Sequence, residues 1–555
     1  MLVACADMTG PSVPDISGEW VSLELGNEGD CAQWGSFFFV QKGGTFTGTA
    51  ARFATNCLPL SSAYILDGRV SDTSISFTLG PCRYNGSFHA GHDSLSGVAS
   101  CGVPDTWYAS RVGPAASLAL ALEQTHRHLV VGGTTPLRAV LRDAAGHVLY
   151  GRSAAWSSDN PAAVAALRVD ADSVLLQAVA PGSTTVTATF GGLTASAGFT
   201  ARLVSFASLS AGGAHTCGVS ANGDAYCWGS NSWGELGDSS ITPSAAPIGV
   251  IGGLTFASIS SGAEGFACGL TDAGQAYCWG NAAGNGSTLQ SHAPIAISGG
   301  LTFAAMSTGG AHACALTAAG AAYCWGYDTA GQLGDGTYTT SSVPVAVAGG
   351  LTFASVSAGE EHTCGVTTSG GAYCWGDNST GQVGDGTTAN RPVPTPVSGA
   401  LIFASVAAGG VHTCGLTTSG TAYCWGSDAS GQLGDASQDS TRVSPSPVAV
   451  SGGLAFTSLS VGAAHACGRT SAGLVYCWGS NTAGQLGNGT TMRRQPTPVA
   501  LSGGLTFASV TAGGTHTCGL TTGGAYCWGG NYFGQLGIGS IDQGRSTPIR
   551  VIGQP

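Results

Sequence analysis

From residue 204 onward one sequence unit recurs seven times, anchored on Phe206, Phe256, Phe303, Phe353, Phe403, Phe456 and Phe507, in steps of 47 to 53 residues. A period of that length restricts the chain to repeat architectures, in which each unit buries its apolar face only against its neighbours. The fourth unit shows what each repeat contains. Alternating residues bounded by Gly-rich stretches predict strands over 353–357, 362–367 and 372–376. A fourth is expected over 393–397, where proline confines it to a sheet edge. Four short strands per unit, seven times over, is the pattern of a β-propeller, and no segment sustains a helical period. The fold class is therefore all-β, with a seven-bladed propeller as its largest part.

Composition narrows the function classes. Gly contributes 90 residues and hydrophobics 43%, while only 9% are charged, a balance that a disordered chain reverses. The net charge is −12 and the single lysine is Lys42. Without a basic tail or stripe the electrostatic footprint of a nucleic-acid binder is missing, so no nucleic-acid partner is expected. No apolar run reaches 18 residues, so no membrane-spanning helix is expected either.

Each unit carries two cysteines: Cys217/Cys227, Cys268/Cys278, Cys314/Cys324, Cys364/Cys374, Cys414/Cys424, Cys467/Cys477 and Cys518/Cys527. A turn centred on Ser369 places Cys364 opposite Cys374 on antiparallel strands, close enough for a cross-strand disulfide. Metal ligation is the rival, because a His lies two residues before the first Cys of most pairs. The second unit weighs against it: Phe266 replaces the His while Cys268 and Cys278 remain, and no Cys-x-x-Cys occurs. No metal or cofactor is expected.

Five cysteines remain. Cys31, Cys57, Cys82 and Cys101 form an even set, expected to pair 31 with 57 and 82 with 101. Cys5 is left over, in Leu2-Val3-Ala4-Cys5, which resembles the end of a bacterial lipoprotein signal and makes Cys5 a lipidation candidate and membrane anchor. Nine disulfides imply an oxidising compartment: bacterial surface, periplasm or medium.

The chain divides into four parts. Residues 1–17 form the signal-like segment and linker. Residues 18–112 alternate in short runs between Gly18-Glu19-Trp20 and Thr106-Trp107-Tyr108, as in a small disulfide-containing barrel or sandwich whose core Trp20, Phe77 and Trp107 fill. Residues 114–203 carry Asp143-Ala144-Ala145-Gly146, Trp156-Ser157-Ser158-Asp159-Asn160-Pro161 and an Ala180-Pro181-Gly182 turn. This segment resembles a bacterial immunoglobulin-like group 2 domain, which implies a β-sandwich spacer with Trp156 in its core. Residues 204–555 are the repeat.

The repeat itself reads Gly-x-x-His-Thr, Tyr-x-Trp-Gly and Gly-Gln-Leu-Gly, as at Gly513, His516, Trp528, Gly534, Gln535, Leu536 and Gly537. It resembles the repeat of the regulator of chromosome condensation family, which implies the same seven-bladed propeller. The second unit departs from it, with Asn285-Gly286-Ser287 in place of Gly-Gln-Leu-Gly, and a shortened outer loop is expected there. Two ring closures remain open: Ile549-Arg550-Val551 completes its own blade or pairs back onto the first.

The recurrent His (215, 312, 362, 412, 465 and 516) invites a catalytic reading, but six equivalent copies point to structure. Hydrogen bonds from each to neighbouring backbone are the expectation. The Trp at 228, 279, 325, 375, 425, 478 and 528 is expected to pack between blades, and Asp335, Asp385 and Asp435 to cap turns. What varies is loop content, over 239–246, 337–343, 438–444 and 492–495, with Met492, Arg493 and Arg494 the candidate binding cluster. The expected function is a monomeric, exported or surface-anchored module that binds a protein or glycan without catalysis. The family resemblance supplies an alternative, a guanine nucleotide exchange factor for a small GTPase, although no exchange residues carry over. Inhibition of an extracellular enzyme is a further alternative.

Overall fold

The computed structural model describes residues 18–555 except 26–32, 43–44, 55–62, 71–73, 80–81, 89–93, 101–103, 112–113, 123–127, 150–152, 170–172 and 282–288. In the first eight strands the description is chiefly of backbone. All the named elements are strands. Eight of them, spanning 18–111, pair each with the next, and Gly18–Leu25 also pairs with Pro104–Arg111 to close a barrel. The first domain is thus a barrel and not an open sandwich. Cys5, Cys31, Cys57 and Cys101, and the side chains of Cys82, Trp20, Phe77 and Trp107, lie outside the described residues.

Residues 115–202 form two four-stranded sheets packed face to face. Leu137, Val164, Val174 and Leu176 of one sheet meet Val186 and Phe199 of the other in a single buried cluster. Alternation sets this arrangement: Thr134–Asp143 buries every second residue along most of its length. Trp156 packs against the cluster while only partly buried. Val130, from this pair of sheets, shares a small buried cluster with Val204 and Tyr226, and Val204 N–H donates to Gly553 O at 2.7 Å. The linker into the repeat is therefore held at both of its sides.

Seven four-stranded sheets follow, spanning 206–249, 258–296, 305–346, 353–396, 403–449, 458–500 and 509–550, and are called sheets 1 to 7. In sheet 4 the strands are Phe353–Ala358, His362–Thr367, Ala372–Gly376 and Arg391–Pro396. The fourth starts two residues earlier than its sequence suggests and pairs only with the third, as an edge strand rich in proline must. The first strand of sheet 1 packs against strands of sheet 7, so the ring is closed. Asp542–Arg550 pairs with Gly524–Asn531 of its own sheet, which settles the closure question: no strand crosses from one end of the repeat to the other.

Buried between successive sheets lies one cluster per junction. Trp279 of sheet 2, for example, packs on Cys217, Cys227, Val219 and Leu236 of sheet 1 with Phe256 beside it. All seven repeat tryptophans are fully buried. Each indole removes roughly 150–250 Å² of surface from water, the largest apolar contribution available at a junction.

Candidate functional site

In every sheet the second and third strands are antiparallel neighbours, and the residue that opens the second, His in six sheets and Phe266 in sheet 2, stands opposite the Gly of Trp-Gly, as His362 faces Gly376. The Gly-x-x-His loop and the loop after Trp-Gly therefore emerge on the same face of the ring. The tight turn between those strands, such as 368–371, lies on the opposite face.

On the shared face the Gly-x-x-His loops join the sheets directly. Gly213 N–H donates to Gly262 O (3.2 Å), Ala263 to Gly309 (2.8 Å), Gly310 to Gly359 (3.0 Å) and Glu360 to Gly409 (3.0 Å). Gly410 donates to Gly462 (3.2 Å), Ala463 to Gly513 (3.2 Å) and Gly514 to Gly212 (2.9 Å), which returns to the first sheet. Seven backbone bonds thus form an unbroken circle. The first glycine of each loop permits this approach: a Cβ on Gly212 would lie 2.6 Å from Gly262 O. The circle encloses a cavity of about 270 Å³ at the ring axis, walled by small residues except for Val461 and Glu360.

A second layer of bonds lies beneath. Nε2 of His312, His362 and His516 lies 2.8 Å, and that of His465 2.9 Å, from the hydroxyl of Thr363, Thr413, Thr216 and Thr517 in the next sheet. Each Thr donates its one hydrogen at 2.8–3.0 Å to the carbonyl of a Gln in the preceding sheet's Gly-Gln-Leu/Val-Gly turn, as Thr413 does to Gln382. The Thr oxygen must then accept, so the imidazole is the neutral tautomer protonated on Nε2. The same Gln carbonyl accepts the next sheet's Trp Nε1–H, as Gln382 O accepts from Trp425 at 2.9 Å. Sequence reasoning expected backbone partners for His. The partner is instead a side chain 51 or 52 residues onward, or for His516 a side chain 300 residues back across the ring closure, a pairing that no local pattern displays. Where that position is Ala, as at Ala267 and Ala466, Nε2 of His215 and His412 has no protein partner among the described residues.

Burial holds all six imidazoles below their usual range, to about 3 for His312, His412 and His516 and about 4 for His362 and His465. They are neutral structural groups at physiological pH.

The cysteines sit where the register predicts. All seven repeat pairs lie at disulfide distance, with S–S 2.05–2.15 Å and Cα–Cα 4.0–4.1 Å. Each joins directly opposed residues at a closely spaced, non-hydrogen-bonded position. Asp335, Asp385 and Asp435 accept backbone N–H bonds two residues on and act as turn caps. Met492 and Arg493 are exposed, but Arg494 is not a free rim group. Its guanidinium reaches back to sheet 5, to Asp428 Oδ2 at 3.2 Å and Ser437 O at 2.9 Å. Residues 285–287 lie outside the described residues.

Three carboxylates on the loop face escaped the sequence reading, which treated the two positions between Gly and His as spacers. Glu360 and Glu361 occupy these positions in the fourth unit, where other units have Gly, Ala, Val or Thr, and Glu264 stands in the second unit, which has three residues, Ala263, Glu264 and Gly265, between Gly262 and Phe266. That departure was the available signal. Glu360 lines the cavity and its Oε2 reaches over Gly410 of the next sheet. Crowding, then repulsion from Glu360 and Glu361, raises the Glu264 carboxyl; crowding, then Glu361, raises that of Glu360.

The family follows from comparison with known proteins. The RCC1-like domain model matches residues 188–518, more than half of the chain, and the regulator of chromosome condensation (RCC1) repeat model matches 507–535. The chain belongs to the RCC1-like family. A curated relative, human probable E3 ubiquitin-protein ligase HERC4, is 43% identical over 63 residues, which is 11% of this chain and 6% of that protein. Among solved structures, yeast (Saccharomyces cerevisiae) Prp20p, studied for its binding to Gsp1p and histones, is 20% identical with a TM-score of 0.54, over 60% of this chain and 87% of that one. Human WBSCR16 is 23% identical with a TM-score of 0.52, over 59% and 89%. These likenesses show that the RCC1-like part is a β-propeller. They cover about three-fifths of the chain, and the RCC1-like domain model begins at residue 188, in the last strands of the sandwich.

Proposed function

We propose that this RCC1-like chain is an exported or surface-anchored binding protein: a seven-bladed propeller that recognises a protein, carried on an immunoglobulin-like group 2 sandwich. One observation carries the compartment: seven cysteine pairs at disulfide distance, each within a single sheet and shielded from solvent. Such bonds persist in oxidising surroundings and are rare in a reducing cytosol. Binding without catalysis is supported by the chemistry of the loop face. Its recurrent histidines are neutral and tied into the junctions, and among the described residues no three of His, Cys, Asp and Glu are grouped to hold a metal. Loops of unequal length on a regular ring are how repeat proteins build recognition surfaces. A glycan ligand is an alternative to a protein within this reading, inhibition of an extracellular enzyme is one form of protein binding, and acylation of Cys5 is the means of anchoring.

The test is location. Protease treatment of intact producing cells, followed by fractionation, is expected to cleave or release the chain from outside the cytoplasm. Full protection together with recovery in the cytosolic fraction would overturn the proposal. Family membership favours one second reading, regulation of a small GTPase. A nucleotide-release assay with the host's GTPases decides it, because stimulated release would displace the first reading.

A further inference from the structure

Charge is distributed unevenly around the ring. Residues 204–400 hold eleven carboxylates and one arginine, whereas 401–555 hold four carboxylates and six arginines. The one arginine of the acidic half, Arg391, is committed to Asp385. Glu264, Glu360 and Glu361 all belong to that half and to the loop face. None of the three is in an ion pair among the described residues; each is exposed, Glu360 lines the central cavity, and Glu264 and Glu361 are close enough to it to repel its charge.

Aromatic side chains stand on the same face. Trp233, Tyr327, Tyr532 and Phe533 are between 45% and 55% exposed, whereas every repeat Trp is fully buried. All four come from the loops after Trp-Gly. Trp233 of sheet 1 lies over Gly265, the neighbour of Glu264. Tyr327 is tied to the loop before His312 by its N–H bond to Ala311 O at 2.9 Å, in the sheet between Glu264 and Glu360. Tyr532 and Phe533 extend the arc into sheet 7, where Gly530 N–H donates to Thr515 O at 2.9 Å. In ring order from sheet 7 to sheet 4 the face therefore presents Tyr-Phe, Trp, Glu, Tyr and Glu-Glu. Half-exposed aromatic faces interleaved with uncompensated carboxylates are complementary to ammonium and guanidinium groups, which gain from both.

We propose that this arc is a docking surface for a cationic polypeptide segment, bearing lysine or arginine side chains, in a partner protein. The partner's strand or loop lies across the mouth with one basic side chain entering the cavity beside Glu360, and others over Trp233 and Tyr327. The cavity suits a side chain and not a folded domain: at about 270 Å³ it admits little more than one extended arginine. The proposal rests on the reading of the ring as a binding module and names the chemistry of what it binds.

The test uses the full chain, purified with its disulfides intact, and two fluorescent peptides of equal length, one alternating Arg and Gly and one alternating Glu and Gly. Binding is followed by anisotropy at low and at physiological salt. The Arg peptide is expected to bind and the Glu peptide not to. E264Q/E360Q is expected to weaken Arg-peptide binding at least about fivefold and W233A about threefold. D224N/D272N removes the same number of charges from the opposite face and is expected to leave affinity within twofold. Equal losses in the two double variants would show attraction to net charge alone and overturn the docking site, as would absence of Arg-peptide binding to the unaltered chain. Either failure leaves the cell-location test untouched, so the two readings fall separately.

Discussion

Thr413→Ala tests the junction network most sharply. Thr413 sits fully buried between sheets 4 and 5, accepting from His362 Nε2 at 2.8 Å and donating to Gln382 O at 2.8 Å. Gln382 O keeps its second donor, Trp425 Nε1, so the acceptor side survives. His362 does not, and an imidazole N–H stranded without a partner costs about 1–3 kcal/mol. With the lost Gln bond and methyl group the expected destabilisation is about 3 kcal/mol. Elsewhere in the ring the network is replaced by a different solution: Phe266 of sheet 2 packs on Ala313 of sheet 3. The variant H362F/T413A copies that pair into the next-but-one junction. It removes the stranded donor, so its destabilisation is expected to fall about 2 kcal/mol short of the sum of the two single changes. Denaturant unfolding of the four proteins under non-reducing conditions gives the cycle. Strict additivity would refute the hydrogen bond as the source of junction stability.

Three other outcomes are expected. Each of the five histidines held near 3 or 4 binds a proton in the unfolded chain below about pH 6.5 but not in the folded one. Folding stability is therefore fully present above 6.5 and declines as pH falls toward 4, by about 1.4 kcal/mol per pH unit for each histidine; urea midpoints that stay flat from pH 7 to 4.5 would contradict this. C364A/C374A opens a loop closed by residues ten apart, and the chain-entropy model gives a loss of about 2.7 kcal/mol, read as a lower denaturant midpoint. G212A places a Cβ 2.6 Å from Gly262 O and 2.7 Å from the His215 ring, so a loss of about 3 kcal/mol or more is expected, measured as a fall in melting temperature or in soluble yield.

The ring was legible because its determinants are local and repeated. Four strands, a cysteine pair nine or ten residues apart and a Trp recur in each unit at the spacing of stacked sheets. What holds one sheet to the next was not legible, because it spans units. His362 and Thr413 are 51 residues apart, and Arg494 and Asp428 are 66 apart, so neither pair leaves a short-range pattern. The residue after each His carried a trace of the answer: Thr where it takes the bond from the preceding sheet's His, Ala where it takes none. Closure was ambiguous for a related reason. It depends on backbone bonds between Gly-x-x-His loops, and the identity of the last strand does not enter. The acidic and aromatic arc was hidden by treating positions between motif residues as filler.

The proposed compartment depends most heavily on cystines formed within single sheets. Peptide mapping without reduction, after alkylation of the protein in the producing cells, tests this directly. The prediction is seven linked pairs: Cys217 with Cys227, Cys268 with Cys278, Cys314 with Cys324, Cys364 with Cys374, Cys414 with Cys424, Cys467 with Cys477 and Cys518 with Cys527. Alkylated free thiols at these positions, or links between different sheets, would contradict it.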